Sequence, residues 1–215
     1  MIASVTSIAL ASTLLLAMGA KPAPAPAPPA PAASTTTATV GQTAPAFTLT
    51  DTSGKKHSLS DFSGKTVVLE WVNHECPFVK KHYGSGNMQA LQREATGKGV
   101  VWLSVNSSAP GKQGHLDAKL GAAAIAEKKS ASTALLLDSE GTVGKLYGAK
   151  TTPHMYVIDA KGTLVYAGAI DDKPSTDPAD VTGAKNYVRA ALDEVLAGKP
   201  VTTATTQSYG CSVKY

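Results

Sequence analysis

Thr66-Val67-Val68-Leu69-Glu70-Trp71-Val72 runs directly into Asn73-His74-Glu75-Cys76-Pro77-Phe78-Val79-Lys80-Lys81, and the reading of this junction decides the fold. The first seven residues form a nearly continuous apolar run, the pattern of a central strand covered on both faces. Pro77 suits the first turn of a helix, where its missing N–H would have no intrahelical partner anyway. Cys76 therefore opens a helix. A thiol in that place faces unpaired backbone N–H groups and the positive end of the helix dipole, and both favour the reactive thiolate. Lys80 and Lys81 add positive charge nearby, whereas the carboxylate of Glu75 works against the thiolate. The second cysteine, Cys211, lies in Gly210-Cys211-Ser212-Val213-Lys214, on a tail that reads as free to swing. One poised thiol and one remote thiol point to redox chemistry.

Outward from the junction, the pattern alternates between strands and helices. Ala46–Thr50 and Lys56–Leu59 flank a Gly-containing turn and read as a short N-terminal hairpin. A helix from Pro77 is interrupted by Gly84 and Gly86, and a second piece runs from Asn87 to Ala95. Val100–Val105 is a second buried strand, Gln113–Lys129 carries an Ala-rich helical pattern, and Ala134–Asp138 is a third strand. A short helix passes through Val143, Leu146 and Tyr147. His154–Asp159 and Leu164–Gly168 flank Ala160-Lys161-Gly162 as a hairpin, and Val181–Ala197 is the last helix. The sum is an α/β fold with a central mixed sheet flanked by helices.

The ends differ in composition from this unit. Residues 1–20 are apolar and end in small residues, which reads as a secretory signal peptide, with an uncleaved membrane anchor as the alternative. Residues 21–39 alternate Pro and Ala and then turn Ser/Thr-rich, the composition of an extended, solvated linker. Residues 40–215 then form one domain. The formal charge of +4 is mild and its lysines are scattered, so the basic stripe of a nucleic-acid binder is absent. Export would permit the two cysteines to pair.

The Cys-Pro opening, together with Thr152-Pro153 directly before Tyr156-Val157-Ile158-Asp159, resembles the thioredoxin-like fold. Within that fold the layout resembles the redoxin group, the alkyl hydroperoxide reductase/thiol-specific antioxidant family. Its peroxiredoxin-like branch shares the Cys-Pro opening, a segment like Ile170-Asp171-Asp172 and the Gly-Cys-Ser-aliphatic-Lys tail. The resemblance runs from about Val40 to Tyr215. Two departures shape what it implies. Thioredoxins carry Cys-x-x-Cys, and Val79 stands in the second place; the Pro-x-x-x-Thr/Ser-x-x-Cys pattern of peroxiredoxins meets Leu69 and Asn73.

The resemblance implies an exported thiol–disulfide oxidoreductase without a cofactor. Cys76 is the nucleophile, Cys211 a resolving thiol, and Pro153 after Thr152 a cis-proline beside the reactive sulfur. The partners implied are protein disulfides or oxidised thiols and an external thiol reductant. Nucleic acid is not among them, and a membrane enters only if the leader stays uncleaved. Other readings remain open at this stage. Cys76 could be a structural cysteine tied to Cys211, Cys211 a static staple or an intermolecular partner, and Pro153 an ordinary trans loop proline. A thiol-dependent peroxidase is one alternative function. A copper- or zinc-binding accessory module, using His74, His82 and His154 near Cys76, is another, against the plainer reading of solvated histidines. Asp171 and Asp172 read as exposed loop-capping residues.

Overall fold

The computed structural model describes residues 1–2 and 37–215; the expected leader and most of the linker lie outside the described residues. The chain order is β1 (Thr48–Asp51), β2 (Lys56–Ser58), β3 (Val67–Trp71), α1 (Pro77–Gly84), α2 (Asn87–Gly97), β4 (Val101–Asn106), α3 (Ala118–Lys128), β5 (Ala134–Leu137), α4 (Thr142–Tyr147), β6 (Thr151–Thr152), β7 (His154–Ile158), β8 (Leu164–Gly168), α5 (Tyr187–Leu196) and β9 (Cys211–Ser212). Seven strands form one sheet in the order β2-β1-β5-β4-β3-β7-β8, and β6 and β9 form a separate pair. Strands β3, β4 and β5 are parallel, whereas β7 and β8 run antiparallel on one side and the β1–β2 hairpin on the other. The mixed sheet and the thioredoxin-like fold expected from the sequence are both present.

Strand β3 lies in the middle of the sheet with every residue buried. Because successive side chains point to opposite faces, Val67, Leu69 and Trp71 pack in one apolar cluster with Leu103, Tyr147 and Tyr156. Val68 and Val72 enter the other, with Val79, Leu91, Trp102, Val157 and Leu192. Each large side chain buried in this way contributes roughly 2–3 kcal/mol. The helices α1, α2 and α5 cover the second cluster, so the strand that delivers Cys76 and the helix that receives it share one core.

One residue on that face is not apolar. Glu70 is fully buried, and its carboxyl accepts from Trp102 Nε1 at 2.8 Å, Ser104 Oγ at 3.0 Å, Tyr83 OH at 3.0 Å and Gln92 Nε2 at 3.1 Å. Burial raises its pKa against the pull of these four donors. The network joins β3, β4, α1 and α2 beneath the cysteine.

Helix boundaries moved where local chemistry overrode the apolar pattern. The Ala-rich helix starts at Ala118, since the Asp117 side chain takes the Leu120 N–H at 2.7 Å and Gly114 bends the preceding loop with φ +76°. The last helix starts at Tyr187, capped by Asn186, which accepts from Arg189 N at 2.8 Å. The tail differs most from expectation. It is a strap, pinned along the end of the sheet near Cys76.

Replacing Glu70 with Leu should strand four buried donors at once. The expected loss is at least about 3 kcal/mol, read from urea denaturation. Glu70→Gln keeps an acceptor and removes the buried charge. The raised folded-state pKa means that Glu70 supports folding below its unfolded pKa of about 4.3 and loses that support as pH rises through the folded value. Stability of Glu70→Gln should therefore fall less than wild type as pH is raised above that point.

Candidate active site

Cys76 is the residue just before α1, with extended backbone angles (φ −68°, ψ 127°), and Pro77 takes the first helical position. Asn73 shapes the approach. Its Oδ1 accepts from Glu75 N at 2.9 Å, its Nδ2 donates to the Gln113 carbonyl at 3.2 Å, and its backbone carbonyl accepts from Cys76 N at 3.0 Å. Gly114 is required opposite it, since a Cβ there would lie 2.1 Å from Asn73 Oδ1. The β3–α1 loop and the loop before α3 are thus fitted to each other.

The Thr152–Pro153 bond is cis. The Thr152 carbonyl, between β6 and β7, accepts from the Cys76 thiol at 3.1 Å. The outer edge of β6 is taken by the tail, with Thr151 opposite Ser212 and Thr152 opposite Cys211. That pairing brings Cys211 against Cys76. Both thiols are free. Cys76, Cys211, Thr152 and Pro153, singled out from the sequence, therefore meet at one place.

The electrostatics separate the two sulfurs. Burial disfavours a Cys76 thiolate, but the Cys211 thiol, the backbone N–H groups of Val79 and Cys211 and the Thr152 hydroxyl together hold the Cys76 pKa below its ordinary value. Burial and the neighbouring Cys76 sulfur push Cys211 up to about 11. Of the two thiols, Cys76 therefore gives up its proton more readily than Cys211. Val79, standing where a local second thiol would be, contributes a backbone N–H instead.

Several expectations are corrected here. Lys81 does not support the thiolate: it is buried, donates to the Lys173 carbonyl at 2.6 Å and lies 3.9 Å from Asp171 Oδ2. Asp171 is buried rather than exposed, while Asp172 is exposed. The histidines are not solvated. His82 is fully buried between Asn87 (Nδ1, 2.9 Å) and the Tyr209 hydroxyl (Nε2, 3.2 Å), and burial lowers its pKa to about 4. His154 is buried against Tyr156 OH at 3.0 Å, and His74 packs edge-on to Tyr83; burial lowers both to about 4. They occupy separate environments, and among the described residues no three His, Cys, Asp or Glu side chains group as a metal site.

What sequence reading missed is the anchoring of the tail. The Tyr209 hydroxyl donates to Asp171, its ring packs against Phe78 at 5.8 Å between centroids, and the Lys81 ammonium lies 5.4 Å above it. Val213 N donates to the Lys150 carbonyl at 3.0 Å, and Ala109 N donates to the Lys214 carbonyl at 2.8 Å. Tyr215 settles over Gly141 and Gly144, where any Cβ would meet its ring, and its hydroxyl donates to the Ala149 carbonyl at 2.7 Å. The signal was present as two tyrosines flanking a Gly-Cys pair in an otherwise small, polar tail.

A thioredoxin-like domain with a helix-opening cysteine, a facing cis-proline and a second cysteine on a strap is what the fold and site define. The chain belongs to the AhpC/TSA family, whose family model matches residues 40–167. The thiol-disulfide oxidoreductase ResA of Geobacillus thermodenitrificans is 29% identical over 132 residues, 58% of this chain and 66% of that protein. The chain thus spans just under two thirds of that relative's length. The thioredoxin-like protein YneN of Bacillus subtilis is 28% identical over 143 residues, 66% of this chain and 79% of that protein. Among solved structures, an uncharacterized conserved protein from Geobacillus kaustophilus aligns with a TM-score of 0.71 and 28% identity, covering 82% of this chain and 92% of its own. A hypothetical protein from Sinorhizobium meliloti 1021 gives 0.70 and 27%, covering 82% and 94%.

Gly210 holds φ +124°, and a Cβ there would lie 2.1 Å from the Thr152 carbonyl oxygen, so Gly210→Ala should unseat β9. Cys211 would then lose the burial and the neighbouring Cys76 sulfur that raise its pKa, and its pKa should fall. Ultraviolet thiolate absorbance against pH is the measurement. Wild type should show one step below the ordinary thiol range of about 8.5 and one near 11, and the upper step should move downward in the variant.

Proposed function

We propose that this chain is an exported thiol–disulfide oxidoreductase whose working couple is Cys76 and Cys211. The observation that carries the reading is the β6–β9 pairing, which seats the tail cysteine against a buried, thiolate-favouring cysteine at a helix N-terminus. In the step common to either direction of exchange, the two thiols lose two electrons and two protons and close an internal disulfide, or regain them as it opens. Thr152 and Pro153 are positioning residues: the Thr152 carbonyl, directly before Pro153, accepts from the Cys76 thiol, and β6 pairs with the strand that carries Cys211. The substrates in this reading are protein disulfides or oxidised thiols, restored by an external thiol reductant. The ResA relatives carry a name of the same chemistry. Export rests on the apolar stretch of residues 2–20; no helix among the described residues is long and apolar enough to cross a membrane.

Intact mass across a series of glutathione redox buffers tests the couple. Wild type should lose two hydrogens in a single transition, and neither Cys76→Ser nor Cys211→Ser should do so. Reduction of a protein disulfide substrate should vanish in Cys76→Ser; full activity there would end the proposal. A peroxide arm separates the thiol-peroxidase alternative, for which the internal disulfide would have to form far faster than free cysteine oxidises.

A further inference from the structure

The sequence pattern casts Cys76 as the thiol that meets the partner, and the geometry reverses the order. We propose that Cys211 is the sulfur that exchanges with an external thiol or disulfide, and that Cys76 works beneath it as the covered member that closes and opens the internal bond. This rests on the Cys76–Cys211 couple proposed above.

Access is the first argument. Cys76 has 0% of its surface exposed and belongs to the apolar cluster under α1, whereas Cys211 at the edge of the same cluster is partly exposed. Thiol–disulfide exchange requires one sulfur to reach another, so an enclosed sulfur is out of play for a partner protein whatever its ionisation. The cover is the strap itself, and the strap is held on both sides of Cys211. Before it stands Tyr209, fixed by Asp171, His82 and Phe78. After it come the Val213–Lys150 and Ala109–Lys214 backbone bonds and the seated Tyr215 ring. Uncovering Cys76 would mean breaking these together, whereas reaching Cys211 breaks none of them.

Leaving-group chemistry is the second argument. When an external thiolate attacks the internal disulfide at Cys211 Sγ, a sulfur–sulfur bond forms between reductant and Cys211. The Cys76–Cys211 bond breaks and the electron pair leaves on Cys76. The Val79 and Cys211 amides and the Thr152 hydroxyl already face that sulfur, and the lower-pKa thiol leaves faster. A second reductant thiol then attacks the reductant's sulfur in the mixed disulfide, freeing Cys211 to take up a proton. In the opposite direction, Cys211 passes its proton to the Cys76 thiolate as its own sulfur attacks the partner disulfide. The departing partner thiolate takes that proton from Cys76. The Cys76 thiolate then attacks Cys211, closing the internal bond and releasing the second partner thiolate. The pair loses two electrons and the partner disulfide gains them.

The test uses the reduced full-length single variants, each confirmed folded by its thermal melt, with oxidised glutathione as probe. The glutathione adduct is followed by intact mass and compared with the same variant in denaturant. Cys76→Ser should place a stable adduct on Cys211 with protection of less than about tenfold, and Cys211→Ser should protect Cys76 by more than about a hundredfold, as exchange follows access. Adding Tyr209→Ala to Cys211→Ser should unlock Cys76. An unprotected Cys76 in Cys211→Ser, with no adduct on Cys211 in Cys76→Ser, would overturn the order of exchange. Closure of the disulfide in the wild type, measured alongside, tells this apart from failure of the couple. If the wild type closes while the adduct lands on Cys76, the inference alone falls; if it never closes, the proposed function falls with it.

Discussion

A backbone pairing two residues long, Thr151–Thr152 with Cys211–Ser212, is the constraint on which this site depends. On one side it fixes the carbonyl and hydroxyl of Thr152 against the Cys76 sulfur; on the other it fixes the thiol and amide of Cys211 there. Without it the Cys76 sulfur would lose the Cys211 thiol and amide, which offset the cost of its burial. So short a ladder contributes little by itself. It persists because aromatic anchors on either side, Tyr209 and Tyr215, spread the cost of ordering the tail over several buried contacts.

The polar interior under the site follows a similar logic. Glu70, Tyr83, Gln92, Trp102 and Ser104 form one satisfied network, and Lys81, His82, Asp171 and Tyr209 form a second, in which Asp171 Oδ1 accepts from Tyr209 while Oδ2 accepts no hydrogen bond. Buried polar groups of this kind are costly unless partnered, so each network tolerates little change in the position of its members. The first ties the strand and helix that carry Cys76 to their neighbours. The second ties that same helix to the tail that carries Cys211. The two sulfurs are therefore located by two separate rigid networks that meet in α1.

Much of this was legible in the sequence, and the limits have physical reasons. The apolar run of β3, the Cys-Pro helix start and the Thr-Pro before β7 are local patterns, and each produced the element expected. The burial of Asp171, His82 and Lys81 was not legible, because a polar residue is drawn inside by partners distant in sequence, here Tyr209 for Asp171 and His82 and the Lys173 carbonyl for Lys81. The strap was hidden for a related reason. Two-residue strands carry no period, and a Thr-rich tail looks free until the groups that receive it are known. Gly210 beside Cys211 was the available clue, since its φ and the 2.1 Å Cβ approach to Thr152 admit no other residue without strain.

Moving the second thiol out of the first helical turn changes more than its address. A pair within one turn stays close in any state that keeps the helix, so its redox equilibrium senses only the local turn. Cys76 and Cys211 lie toward opposite ends of the folded unit, and only the folded sheet with its strap brings them together. In the unfolded chain, closing a loop of this scale costs about 5 kcal/mol of chain entropy. The fold has already met that cost, so in the proposed couple the disulfide would by linkage stabilise the folded domain and be stabilised by it. The redox equilibrium of the proposed couple would therefore depend on the seating of the strap as much as on the chemistry of the two sulfurs. A change at Tyr209 or Tyr215, which anchor the strap on either side of Cys211, would then act on the same equilibrium as a change beside Cys76.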